Sequence, residues 1–175
     1  MKKNLSDNSR FKDLKIAITG ANGSLGKALI EVLKAKGAYV VGLTHHKKNN
    51  DKSFERTPNE WITWSCGKEE LLSKNLANID ILILNHGFNP KEMIDSDEIN
   101  KAIEINSLSH WRLIEIFEHL VFSSNSNQYA TKEVWVNTSE AEIQIAFSPM
   151  YEITKRLLGE LVSLKKSKLL MEKRN

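Results

Sequence analysis

Short runs of aliphatic and β-branched residues alternate along this chain with longer segments whose apolar residues recur every three to four positions. The short runs predict buried strands, and the recurring positions predict amphipathic helices. We predict strands at residues 15–19, 38–43, 60–66, 79–84 and 132–137, and helices at residues 24–36, 68–76, 97–122 and 150–166. Residues 45–59 and 123–128 are polar and are predicted to be loops.

Two of the predicted helices carry apolar residues at helical spacing. In the first helix these are Leu25, Ala28, Leu29, Val32 and Leu33, and Gly37 is expected to end the helix. In the long helix they are Ile99, Ile103, Ile105, Leu108, Leu113, Ile116, Phe117 and Leu120.

The order of these elements predicts the fold class. The fourth strand, IDILIL, is apolar almost throughout, as expected when both faces of a sheet are covered. Strands that alternate with helices favour a doubly wound α/β domain, with a mostly parallel sheet flanked by helices. We expect one such domain over residues 14–166, a polar leader over residues 1–13 and a basic tail over residues 167–175.

A glycine-rich turn, TGANGSLG over residues 19–26, joins the first strand to the first helix. Gly20 permits a tight turn, Gly23 lets a pyrophosphate approach the backbone, and Gly26 lets the helix pack close to the sheet. The helix N-terminus favours anions. The turn therefore predicts a dinucleotide site in a Rossmann-type domain, formed by Gly20, Asn22, Gly23, Ser24, Leu25 and Gly26. The alternative is a glycine-rich turn that binds nothing.

The end of the second strand indicates which dinucleotide is preferred. Sites for NAD carry an acidic residue about 20 positions after the glycines, which accepts the ribose 2′-hydroxyl. Here residues 44–48 read THHKK, and the first acid is Asp51. An anionic 2′-phosphate suits Thr44, His45 and the lysines Lys47 and Lys48, so NADP(H) is favoured over NAD(H). Each lysine could instead be a solvated loop residue.

Composition and charge narrow the possible partners. The net charge is only +3, and no basic stripe with interleaved aromatic residues is present, so we expect no nucleic-acid partner. No apolar run reaches the ~18 residues of a membrane helix. A lone cysteine, Cys66, is typical of a reducing compartment. We therefore expect a cytoplasmic protein without membrane contact, and no metal, because His45 and His46 lack an accompanying ligand set.

The second half of the chain adds a set of polar residues in a specific order. Asn85-His86-Gly87 follows the fourth strand, Asn106 lies in the long helix, Ser139 follows the fifth strand, and YEITK over residues 151–155 forms a YxxxK motif on a helix. Behind the glycine turn, this set resembles the short-chain dehydrogenase/reductase family over residues 14–165. The resemblance implies hydride transfer between NADP(H) and a small-molecule carbonyl or alcohol substrate.

The resemblance also implies a role for each residue. Tyr151 would be the general acid/base, and Ser139 would hydrogen-bond the same substrate oxygen. Lys155 would hold the ribose and stabilise the phenolate, and Asn106 would position a water. Tyr151 and Lys155 are four residues apart, so they share a helix face. The cofactor would also contact Asn85, His86, Gly87, Tyr151 and Lys155. Taken singly, each has an ordinary alternative, such as a helix kink at Asn106 or a strand end at Ser139.

Three features depart from the usual pattern of the family. The glycines follow TGxxGxxG spacing, which is common in the extended and atypical branches, and NHG is one residue shorter than the usual NNAG. The chain also ends after the YxxxK helix, whereas family members usually run about 250 residues. We therefore expect the fold to be C-terminally shortened, without the usual substrate-binding segment.

These departures leave alternatives to an oxidoreductase. One is a non-catalytic NAD(P)-binding sensor or partner protein, and another is a sugar-nucleotide epimerase, which the glycine spacing permits. A weaker similarity, to dehydrogenase modules that accompany fatty-acid hydroxylase or sterol desaturase-like domains, assigns no substrate. By the resemblance, we also expect a homodimer through the helices that carry Asn106 and Tyr151, with Trp111, Ile114 and Leu158 as possible face residues.

Overall fold

A computed structural model describes residues 10–45, 54–90, 95–123, 132–145 and 148–172. Five strands form one sheet in which every neighbouring pair is parallel, in the order β3-β2-β1-β4-β5. The strands are β1 (Lys15–Thr19), β2 (Tyr39–Thr44), β3 (Glu60–Thr63), β4 (Ile81–Leu84) and β5 (Glu133–Val136). This arrangement confirms the predicted doubly wound α/β fold.

Helices follow the strands along the chain. They are α1 (Ser24–Ala35), α2 (Ser73–Leu76) after a 3-10 turn over Glu69–Leu72, α3 (Ser96–Ile103), α4 (Ser109–Ser123) and α5 (Pro149–Glu172). A π-helical turn over Glu104–Leu108 joins α3 to α4, and a second 3-10 turn, Glu140–Glu142, precedes α5. The predicted long helix is therefore continuous but is widened by one π turn around Asn106. Within the described ranges, no helix combines the length and apolar content needed to cross a bilayer.

The sheet separates two apolar cores. On one side, Phe117 and Leu113 of α4 pack against alternate residues of β1, β2 and β4. On the other side, Ile30 and Leu33 of α1 pack against Ile16 and the remaining alternate residues. Because β2 and β4 lie on opposite sides of β1, the connections leaving β1 and β4 diverge there. In doubly wound sheets, a crevice for ligands forms at such a point, outside the carboxyl ends of the strands.

Not every residue at the apolar spacing is buried, and the last helix is longer than predicted. In α1, Leu25 and Val32 are 48% and 52% exposed and Ala28 is exposed, because the helix turns Gly26, Ile30 and Leu33 inward. In the long helix Leu108 is 40% exposed. The last helix continues to Glu172, six residues past the predicted end at 166, so the start of the predicted tail is helical.

Candidate dinucleotide and catalytic site

The glycine turn is built around two glycines that no other residue could replace without a shift of the backbone. Gly20 has a φ of +62°, and an added Cβ there would lie 2.9 Å from the carbonyl oxygen of Asn85. An added Cβ on Gly26 would collide with the carbonyl oxygen of Gly20. The turn is thus pressed between the loop after β4 and the first turn of α1, as a dinucleotide-binding turn requires.

Gly23 shows that the turn has room for a pyrophosphate. It is exposed, and among the described residues an added Cβ would meet the Gly20 carbonyl oxygen alone, at 3.3 Å. Gly23 is the N-cap of α1, no side chain caps this helix end, and its first turn carries no acidic residue. Backbone N–H groups at an uncapped helix N-terminus attract anions. The residues present therefore fit the phosphates of a dinucleotide.

Thr19 fastens this turn to the loop after β4. Its hydroxyl lies 2.8 Å from the backbone nitrogen of Asn85 and 2.8 Å from Nδ1 of His86. His86 is buried, and its Nε2 lies 3.1 Å from the hydroxyl of Ser109 on α4. The imidazole of His86, predicted to contact the cofactor, thus faces inward, toward α4.

The predicted pair on α5 lies on the far side of the same loop. Lys155 is 97% buried, and its Nζ lies 5.7 Å from the centre of the Tyr151 ring and 3.5 Å from the Asn137 carbonyl oxygen. An added Cβ on Gly87 would come within 3.8 Å of the same Nζ. Burial lowers the pKa of Lys155, and the carboxylate of Glu142 opposes that shift. The loop over residues 85–87 therefore has the glycine turn on one side and Lys155 on the other.

Asn106 holds this loop through its side chain. Its Oδ1 accepts a hydrogen bond from the Phe88 nitrogen, and its Nδ2 donates to the Phe88 carbonyl oxygen, both at 2.7 Å. Nδ2 also donates to the Thr154 hydroxyl at 2.9 Å, next to Lys155 in α5. The amide is fully buried. Asn106 thus connects the loop to the helix that carries Tyr151. This contact does not depend on the predicted role of Asn106 in positioning a water.

Ser139 lies three residues after the end of β5, on the way to α5. It is the N-cap of the second 3-10 turn, and its Oγ accepts a hydrogen bond from the Ala141 nitrogen at 3.2 Å. That turn packs on α5, because an added Cβ on Gly159 would collide with the Glu142 carboxylate. The hydroxyl keeps its proton available for a substrate oxygen, because it is the acceptor in this contact.

The residues predicted to select the cofactor are only partly accessible. Thr44 ends β2 and is 94% buried. His45 is exposed, stacks on Trp64 with ring centres 5.1 Å apart, and holds its Nδ1 3.1 Å from the Trp64 carbonyl oxygen. Lys47 and Lys48 lie outside the described residues.

Several polar residues of the site were missed by sequence reasoning. The hydroxyls of Ser107, Ser109 and Thr154 are all buried, and Ser107 donates to the Thr154 carbonyl oxygen at 2.9 Å. For Ser107 and Ser109 the available signal was their position, since polar residues interrupt the apolar spacing of the long helix directly around Asn106.

Comparison with known proteins identifies the family. The model of the NAD dependent epimerase/dehydratase family matches residues 16–165. The chain belongs to this family, which agrees with the TGxxGxxG spacing and confirms the resemblance to short-chain dehydrogenases/reductases.

A relative and two solved structures define the range of similar proteins. A monoglucosyldiacylglycerol epimerase of Synechocystis is 42% identical over 158 residues, which are 89% of this chain but 38% of the relative. An NADH-dependent reductase complexed with NAD has a TM-score of 0.77 at 19% identity, covering 94% of this chain and 76% of its own. An actinorhodin polyketide ketoreductase with NADPH has a TM-score of 0.69 at 13% identity, covering 83% and 60%. The chain thus spans well under half of its curated relative, and the structures show a shared fold.

Proposed function

We propose that this chain binds NAD(P) and epimerises a sugar, by moving a hydride from a carbinol carbon to the cofactor and back. The observation that carries the proposal is the loop over residues 85–87, which contacts the glycine turn through Gly20 and approaches the ammonium of Lys155 through Gly87. Cofactor site and acid/base pair therefore adjoin. The family match supports epimerisation over the simple carbonyl or alcohol redox reaction that the sequence favoured.

The chain's own residues would divide the chemistry as follows. The glycine turn and the N-terminus of α1 would hold the phosphates, while reversible hydride transfer is what a bound nicotinamide supplies. Tyr151 would take the proton of the sugar hydroxyl as the carbon loses its hydride. It would return the proton when a hydride comes back to the opposite face of that carbon. The nearby ammonium of Lys155 stabilises a phenolate, and Ser139 would donate to the oxygen that gains charge.

The relative's name supplies the substrate to test first. We propose a glucosylated glycerolipid, and incubating the chain with NADP⁺ and monoglucosyldiacylglycerol in detergent should give a new sugar epimer on the lipid. Chromatography of the released sugars measures this. If the chain binds NADPH but forms neither an epimer nor an oxidised sugar, the result would support the alternative of a non-catalytic NAD(P)-binding partner.

The preference for NADP(H) is a second part of the proposal. It rests on the absence of an acid in the sequence THHKK at the end of β2 and on the exposure of His45. We expect tighter binding of NADPH than of NADH, and we expect His45→Asp to weaken NADPH at least about tenfold, because like charges would oppose each other. Quenching of tryptophan fluorescence measures both affinities. Equal affinity of the unaltered chain for the two cofactors would refute the preference.

A homodimer through α4 and α5 remains a proposal, with different face residues. Ile114 and Leu158 are 92% and 100% buried within the chain and so are not free to form an interface. Four exposed residues recur instead along one side of α5: Ile153, Leu157, Leu164 and Met171. We expect a dimer in sedimentation equilibrium and a monomer after Leu164→Glu, with Lys166→Glu as the control. A monomer without the substitution would contradict this.

A further inference from the structure

A buried polar network lies directly beneath the loop over residues 85–87. His86 is 96% buried, its Nδ1 lies 2.8 Å from the Thr19 hydroxyl, and its Nε2 lies 3.1 Å from the Ser109 hydroxyl. No step of the proposed reaction uses these groups, although they contact the glycine turn.

The imidazole of His86 is neutral in these surroundings. Burial lowers its pKa well below the usual value, and His110, His45 and Lys155 lower it further. The ring of His110 stacks on that of His86, with centres 3.9 Å apart, and burial lowers the pKa of His110 to about 3. A neutral imidazole has one N–H donor and one acceptor nitrogen, so His86 has two possible tautomers.

The direction of the network follows from Thr19. Its hydroxyl oxygen accepts hydrogen bonds from the backbone nitrogens of Asn85, at 2.8 Å, and of His86, at 3.3 Å, so the hydroxyl keeps its proton to donate. His86 Nδ1, at 2.8 Å, is a closer acceptor than the Ile83 carbonyl oxygen, at 3.4 Å. Nδ1 then accepts from Thr19, and the proton on Nε2 is donated to the Ser109 hydroxyl.

We propose that Thr19, His86 and Ser109 form a directional hydrogen-bond chain that fixes the Nε2–H tautomer of His86 and so holds the loop over residues 85–87 in place. His86 is a positioning residue in this account, because its ring touches neither cofactor nor substrate. The tautomer of His86 does not depend on the proposed function, whereas the consequence for catalysis rests on the proposed function. The loop lies between the glycine turn and Lys155, so its displacement would separate the cofactor from the acid/base pair.

Histidine tautomers can be measured directly by long-range ¹H–¹⁵N correlation on the protein labelled at histidine. We expect His86 to carry its proton on Nε2 and His110 to carry its proton on Nδ1, which lies 3.1 Å from the Ile105 carbonyl oxygen. The two stacked rings thus serve as references for each other in one spectrum. Ser109→Ala should move the proton of His86 to Nδ1 and leave His110 unchanged. A proton on Nδ1 of His86 in the unaltered protein would overturn the proposal.

The catalytic consequence is measured with the same variant. Ser109→Ala should lower kcat by roughly 10- to 100-fold and change KM for substrate little, since small displacements of reacting groups have effects of this size. Ser163→Ala, at an exposed position of α5, is the matched control. Unchanged kcat in a variant with the altered tautomer would refute the positioning role. Failure of the unaltered chain to bind NAD(P)H would refute the proposed function instead, while the tautomers would still test the network.

Discussion

Replacing Tyr151 with phenylalanine is expected to lower turnover by roughly 10²- to 10⁴-fold, the range that positioned acid/base groups contribute. The substitution removes only the hydroxyl, and Tyr151 is half-buried on α5, so the fold should persist. Binding of NADPH should change little, because the glycine turn and Lys155 remain. Initial rates and fluorescence titration on the same preparation separate the two effects.

A matched control is available in β2. Tyr39 is 43% exposed, and its ring lies 5.3 Å from Nζ of Lys15, so it also pairs a tyrosine with a lysine. Tyr39→Phe should leave turnover unchanged. If Tyr151→Phe retained full turnover, another group would have to move the proton, and the assignment of Tyr151 would be wrong.

Arg112→Met is expected to destabilise the fold by about 1–3 kcal/mol, the cost of leaving a buried acceptor without a partner. Glu69 is fully buried and accepts hydrogen bonds from Arg112 Nε at 2.7 Å and from the Gly67 nitrogen at 2.9 Å. Arg112 also pairs with Glu104 in the π turn. Although burial raises the pKa of Glu69, hydrogen bonds from Arg112, Ser109 and Gly67 bring it below its usual value.

The pH dependence identifies the cause of that loss. A carboxyl group whose pKa is lowered by folding contributes stability above its unfolded pKa and loses it as the pH falls. Without Arg112 the buried carboxylate is penalised instead, so the difference between variant and unaltered protein should shrink as the pH falls and Glu69 becomes protonated. Urea unfolding of both proteins at pH 7 and pH 4.5 measures this difference in the free energy of unfolding. The double variant Glu69→Leu with Arg112→Met should lose less stability than Arg112→Met alone. A loss independent of pH would contradict this explanation.

The strands and the glycine turn could be predicted because their signals are local. Runs such as IDILIL specify a buried strand, and TGANGSLG specifies a turn between strand and helix. The apolar spacing of α1 does not mark its buried face, for a physical reason. Leu25 and Val32 fit the apolar spacing, but the close contact of Gly26 with the turn sets the rotation of the helix.

The network beneath the site could not be predicted from the sequence. Ser109 and His86 are 23 residues apart, and Arg112 and Glu69 are 43 residues apart, so only the packing of α4 against the sheet brings them together. A lone serine or histidine has several ordinary structural roles. The contact of the Asn106 amide with the Phe88 backbone could not be predicted either, because it depends on the π turn that contains Asn106.

Binding of a dinucleotide at the glycine turn is the claim on which the rest of the account depends. Titration calorimetry of NADPH and NADH against the unaltered chain and Gly23→Asp tests it most directly. Gly23 has an ordinary φ of −74° at the helix N-cap, where aspartate is favoured, so this variant should stay folded. Its carboxylate would occupy the space for the phosphates and should weaken binding at least about 100-fold, since closely opposed like charges cost several kcal/mol. Equal affinity of the two proteins, or no binding by the unaltered chain, would contradict the account.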